Sequence, residues 1–267
     1  MDKKQPIGVL DSGVGGLSVL KCLHQMLPHE DFIYVGDTAR TPYGTRSEAE
    51  IRGFVEEMLA WLAAQQVKQI VIACNTLTML GVDTLKKSYP FSLIGMSKGE
   101  QLLLHASKKK KIGVLATPFT IASGAHKRAI LAADPTAEVY PAACPEFVPL
   151  IEGEQFASEA LKQAVAKYAA PLKAAGIDAL ILACTHFPFI RKQIEAAFGP
   201  GVKVIDPAAA TCGDAILALK AENLLRTEGV GHVEVCCTAA LERVERLTAR
   251  MLPQEQCSFK LIDLQKI

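Results

Sequence analysis

The chain has 267 residues, half of them hydrophobic and about a fifth charged, enough for one large core or two ordinary domains and far from disordered composition. Its formal charge of +1 excludes any general electrostatic attraction to nucleic acid or anionic membranes. No apolar run reaches the roughly 18 residues of a membrane span, and "MDKKQPIGVLDSG" holds too few apolar residues before Asp11 for a secretory signal, so a cytoplasmic protein with reduced thiols is expected.

Short runs that are apolar at successive positions recur along the chain, as in strands covered on both faces. The predicted strands are Ile7–Leu10, Phe32–Val35, Ile70–Ala73, Leu93–Met96, Ile112–Leu115, Leu180–Ala183, Val202–Ile205, Val233–Cys236 and Phe259–Ile262. Helical patterns lie between them. Ser47 and Glu50 form a capping box ahead of an apolar stripe, Ile51, Phe54, Val55, Met58, Leu59 and Leu62. A second stripe is Leu161, Val165, Tyr168 and Leu172, and a closing helix is predicted from about Ala239 to Met251 with Glu242, Arg243, Glu245 and Arg246 toward solvent. The lysines from Lys108 to Lys111 read as a solvated turn before a strand. "DSGVGG" lacks the spacing of a phosphate loop and reads as a tight strand-to-helix turn. Strands alternating with helices predict α/β architecture with mainly parallel sheets.

Two phrases occur twice. "IGVLDSG" at Ile7 returns as "IGVLATP" at Ile112, and "QIVIACNTLT" at Gln69 returns as "ALILACTHFP" at Ala179, offsets of 105 and 110 residues. An internal duplication follows: two similar α/β lobes related by a pseudo-twofold axis, with the active site expected in the cleft between them. The first crossing is expected near Gly95–Gly99 and the return near Asp206–Ala210; composition leaves open whether the C-terminal segment completes the first half or forms its own lobe.

Each half supplies one cysteine just past the carboxyl end of a strand, where open α/β sheets bind ligands. A lone cysteine there is ordinarily core filling. Cys74 and Cys184 in duplicated positions, followed by Asn75-Thr76 and Thr185-His186, point instead to chemistry. If each opens a helix, exposed amides favour the thiolate there and, with Ser12, Asn75, Thr76 and Thr185, can hold a carboxylate. Two thiols around one bound acid suit proton removal from one face of a carbon and return to the other. Asp11 is placed to assist Cys74 and His186 to assist Cys184. Two other readings stand beside this one: Cys184 as a lone nucleophile with His186 as base, which leaves Cys74 without a role, and a binding protein without catalysis. No C-x-x-C or zinc-type spacing occurs, so no metal site is expected, and the other histidines, 24, 29, 105, 126 and 232, are expected at the surface.

"GVLDSGVGGLSVL", "YVGDTARTPYG", "ACNT", "GVLATP", "CPEFVPLIE" and "ACTHFP", in this order, resemble the cofactor-independent glutamate racemases of the aspartate/glutamate racemase superfamily along essentially the whole chain. The resemblance implies conversion of L-glutamate to D-glutamate for peptidoglycan in the cytoplasm, with no cofactor and no metal; a racemase for aspartate or another amino acid is the alternative. It implies Cys74 and Cys184 as the acid/base pair, assisted by Asp11, Glu152 and His186. The substrate is expected against Asp11, Ser12, Tyr43, Gly44, Asn75, Thr76, Thr117, Thr120, Thr185 and His186. The implied lobes are residues 1–97 with 208–267, and 98–207; the implied state is a homodimer whose partner molecule is a small amino acid rather than nucleic acid or membrane. Two positions depart from the family pattern: Lys98 in the interlobe stretch, and Phe187 where tyrosine is common.

Overall fold

Every ladder is parallel, as the uninterrupted apolar runs require. The computed structural model describes residues 1–80 and 89–266, and the chain divides into two compact units, Met1–Met96 with Ala208–Ile267, and Ser97–Pro207.

In the first unit the strands are β1 (Ile7–Asp11), β2 (Phe32–Gly36), β3 (Gln69–Ile72), β4 (Ser92–Gly95), β9 (Val233–Cys237) and β10 (Cys257–Leu261). Their order across the sheet is β10-β9-β2-β1-β3-β4. In the second unit β5 (Lys111–Ala116), β6 (Glu138–Ala143), β7 (Ala179–Ala183) and β8 (Lys203–Ile205) lie in the order β6-β5-β7-β8. Taken in chain order within its own unit, each set of four is arranged second, first, third, fourth. The repeated phrases are therefore repeated topology, and β9 and β10 extend the first unit on the β2 side.

The capping box forms as expected, Ser47 accepting from the Glu50 amide at the head of the helix Glu48–Ala64. Ile51, Val55, Met58, Leu59 and Leu62 are buried. Phe54 turns partly off that stripe and lies 4.0 Å under the Arg40 guanidinium. Leu161, Val165, Tyr168 and Leu172 are all buried in the second unit's core.

Four expectations need correction. Strand β6 is absent from the sequence reading because Glu138, Tyr140 and Pro141 break its apolar pattern. As an edge strand it has one side unpaired; the Glu138 amide donates to the carbonyl of Lys110, just before β5, and the Cys144 amide to that of Ala116, while Pro141, at odd spacing from both, falls on the outward side, where a missing N–H costs nothing. The closing helix is shorter, Leu241–Ala249, starting only after Ala240 at φ 55°. His126 is not a surface residue: it is 3% exposed, and burial, then the charge of Lys98, holds its pKa down to about 4. Cys184 does not open a helix, as described below.

A buried ion pair fastens the amino ends of the first sheet. Lys68 and Glu30 have fully buried side chains with Nζ to Oε2 at 2.5 Å. Lys68 Nζ also donates to the carbonyls of Lys3 (2.5 Å) and Leu224 (3.0 Å), and Glu30 Oε1 accepts from the Arg226 amide at 2.8 Å. Four separate stretches of chain meet at these two groups.

Candidate active site

In both sheets the chain leaves the first and third strands, which are neighbours, in opposite directions. This opens a crevice at their carboxyl ends, the usual ligand position of open α/β sheets. In the first unit Asp11 ends β1 and Cys74 follows β3. The register Leu10↔Ile72 sets Cys74 beside Ser12, and Ser12 Oγ and Cys74 Sγ lie 3.7 Å apart. Both Asp11 and Cys74 are buried. Asp11 is held by the amide of Gly13 (2.8 Å), and the close turn behind it requires glycine: a Cβ on Gly16 would sit 2.7 Å from that of Asp11 and 3.1 Å from that of Ala73.

Cys74 is the N-cap of the short helix Asn75–Thr78 and has extended backbone angles. Asn75 and Thr76 are buried beside it, and neither side-chain polar atom of Asn75 has a hydrogen-bond partner among the described residues. A buried amide in that state is expected to meet a ligand or water. Tyr43 is buried and donates its hydroxyl to Asp37; burial first, then the Asp37 carboxylate, pushes that hydroxyl's pKa well up. Gly44 next to it is partly exposed.

In the second unit Thr117 follows β5 and Cys184 follows β7, and the register Ala116↔Ala183 sets them side by side. Thr117 caps the helix Pro118–Ser123, and its hydroxyl bonds that of Thr120 at 3.1 Å. Cys184 is followed by a turn and the 3-10 segment Phe187–Ile190, with the helix Arg191–Phe198 beginning seven residues after the thiol. The reason is local: Pro188, four residues after Cys184, has no N–H to donate to its carbonyl, which instead accepts the shorter-range bond of Phe187 N at 3.0 Å. What Cys184 has instead is a relay. Its Sγ is 4.0 Å from His186 Nδ1, and His186 Nε2 is 2.9 Å from Glu152 Oε1, all three residues being buried. Thr185, between thiol and imidazole, is buried too. Phe187 packs edge-on against Phe147 at 5.1 Å in a wholly apolar setting, where a tyrosine hydroxyl would need a partner.

The Asp/Glu/Hydantoin racemase family model matches residues 7–215. The chain belongs to that family. The glutamate racemase of Lactiplantibacillus plantarum is 39% identical over 99% of this chain and 98% of its own length. Among solved structures, a glutamate racemase isoform from Bacillus anthracis superposes with a TM-score of 0.90 at 33% identity, covering 98% of each chain. A glutamate racemase from Francisella tularensis in complex with D-glutamate gives 0.88 at 33% identity, covering 99% of this chain and all of that one.

Within this racemase family member the geometry groups Asp11, Ser12, Asn75, Thr76 and Tyr43 around one thiol's crevice, and Glu152, His186, Thr185, Thr117 and Thr120 around the other's. Sequence reasoning missed Asp37. It follows the buried run "FIYVG" directly, one residue beyond the carboxyl end of β2, and a carboxylate closing an apolar run, as Asp11 closes β1, was the available signal. Among the described residues no cluster of His, Cys, Asp and Glu is arranged to hold a metal ion, and no helix is long and apolar enough to cross a membrane.

The relay makes a prediction about pH. Burial alone would lower the His186 pKa, but its hydrogen bonds with Cys184 and Glu152, and their charges, raise it well above the ordinary histidine value. The folded value exceeds the unfolded one, so the pairing stabilises the protein fully below about pH 6.5. That contribution is lost as pH rises through the higher folded value. In Glu152→Gln the His186 ring signals, followed by NMR against pH, are expected to titrate at lower pH than in the unaltered protein; an unmoved titration would mean Glu152 does not hold that proton.

Proposed function

We propose that this protein interconverts L-glutamate and D-glutamate by a two-base mechanism in which Cys74 and Cys184 act as acid and base on opposite faces of the α-carbon. The observation that carries the reading is that each unit independently sets one buried thiol after its third strand, alongside polar groups ending its first. In one direction a thiolate takes the α-proton: the C–H bond breaks and an S–H bond forms. The opposite thiol then gives its proton to the carbon and becomes the thiolate. In the reverse direction the roles exchange, which accounts for the duplicated design. The intermediate carries negative charge toward the substrate carboxylate, where the amides and hydroxyls of Ser12, Asn75, Thr76 and Thr185 can stabilise it. Asp11 and the His186–Glu152 pair steer protons to and from their neighbouring thiols. The reading extends to a cytoplasmic, cofactor-free homodimer that supplies D-glutamate for peptidoglycan.

The test is loss of optical rotation from separate L-amino acids, measured with a chelator present. Glutamate is expected to change fastest. Aspartate is the nearest competitor, since one methylene is worth only about 1–3 kcal/mol in a pocket; a faster change with aspartate would overturn the substrate assignment. The relay Cys184–His186–Glu152 also has the order of nucleophile, base and orienting acid, so a single-nucleophile hydrolase or transferase is the second reading. It assigns nothing to Cys74.

A further inference from the structure

The matched family region stops at residue 215, yet the chain beyond it reaches back to the first crevice. Strand β9 pairs with β2 in the register Gly36↔Cys237, so beyond the sheet Asp37 stands opposite Thr238 and Thr38 opposite Ala239, the two threonines one step apart. Their hydroxyls then cross over. Thr38 Oγ1 donates to the carbonyl of Ala239 at 2.6 Å and accepts from its amide at 2.9 Å. Thr238 Oγ1 accepts from the Ala39 amide at 2.9 Å and donates to Asp37 Oδ1 at 2.9 Å. Thr238 N adds a bond to the Gly36 carbonyl at 3.2 Å. The other oxygen of the fully buried Asp37 takes the Tyr43 hydroxyl and Arg40 Nε, the latter at 2.5 Å. Asp37 N in turn bonds the carbonyl of Asp11 at 3.1 Å.

We infer that this threonine clasp makes Thr238 and Asp37 positioning residues for the stretch carrying Tyr43 and Gly44. Neither is assigned contact with substrate. Asp37 is a buried carboxylate with Arg40 and Tyr43 on one oxygen and Thr238 on the other, so it ties the C-terminal segment to the Tyr43 stretch, and losing the Thr238 donor leaves that second oxygen buried and unsatisfied. Removing the Thr238 hydroxyl takes away one donor to Asp37 and the acceptor for Ala39 N while leaving side-chain volume almost unchanged. The substrate part of the inference rests on the glutamate reading above, in which Tyr43-Gly44 faces the substrate.

The experiment compares Thr238→Val and Thr238→Ser by two readouts. Hydrogen exchange across residues 37–46 is expected to be at least tenfold faster in Thr238→Val and restored in Thr238→Ser. The KM for glutamate is expected to rise about tenfold in Thr238→Val with kcat within a factor of two, and to return in Thr238→Ser. Unchanged exchange would overturn the clasp whatever the substrate is. Faster exchange with unchanged KM would overturn the positioning role. If Thr238→Val does not fold, Asp37→Asn is read by the same two measurements and with the same meanings. A wild-type protein that leaves glutamate untouched would defeat the functional reading alone, since the exchange result still decides the clasp.

Discussion

Cys74→Ala and Cys184→Ala are each expected to abolish racemisation, lowering kcat by roughly 10²–10⁴-fold, the usual contribution of one positioned acid or base. The reason is arithmetic of protons rather than of binding. A two-face transfer needs an acceptor and a donor, and the remaining thiol can only return a proton to the face from which it came. Each single variant should therefore still exchange solvent deuterium into one enantiomer, and the two variants into opposite enantiomers. Circular dichroism of the amino acid follows the first quantity and proton NMR of the α-position the second. Near-native racemisation by Cys74→Ala would reject the two-base mechanism and favour the lone Cys184 nucleophile, for which the relay to His186 and Glu152 is already in place. The variants should fold, because each substitution removes a single sulfur atom from a buried position and leaves no polar group of the backbone unpaired.

Lys68→Met is expected to cost about 3–5 kcal/mol of stability, because it leaves the Glu30 carboxylate buried without its cation. That is a large share of the roughly 5–15 kcal/mol typical of a folded protein. The mechanism is specific and can be separated from simple loss of packing. Pairing Lys68→Met with Glu30→Leu removes both charges together, and the double variant should recover much of the loss, since an apolar pair often replaces a buried ion pair at little net cost. Recovery will be incomplete, because the Arg226 amide and the Leu224 carbonyl also lose partners. Urea unfolding of the two single variants and the double variant measures all three. A double variant no better than the worse single one would show that backbone anchoring, not uncompensated charge, dominates. Lys68 precedes β3 and Glu30 precedes β2, at the opposite end of the sheet from Cys74, so the residual folded enzyme should keep its kcat.

What the sequence makes legible follows from how each feature encodes itself. Buried parallel strands announce themselves as unbroken apolar runs, and duplicated ones as repeated phrases; hence β1, β3, β5 and β7, with the thiols after β3 and β7, can be placed from residues alone. Edge strand β6 does not satisfy that rule, since one side of its backbone is unpaired and each of its residues is exposed or half-buried, none of them fully buried. Cys74 and Cys184 look equivalent in sequence, but Pro188 diverts the second into a 3-10 turn, so amide stabilisation at a helix start belongs to Cys74 alone. Asp37 and Thr238 are some 200 residues apart, and no local pattern could announce a bond between them. His126 fails for the opposite reason: among small and polar neighbours it reads as exposed, and only the packing of the helix Ala125–Ala133 buries it.

The split first unit has a consequence for how the polypeptide matures on the ribosome. Residues 97–207 form a self-contained block and leave the ribosome before Val233 does, so that block can fold while the earlier one still lacks its two last-made strands. Until then the apolar segment Phe32–Gly36 has an open flank, the kind of surface on which nascent chains pair with one another. Synthesis halted near residue 220 would thus leave a sticky intermediate rather than a shorter working enzyme.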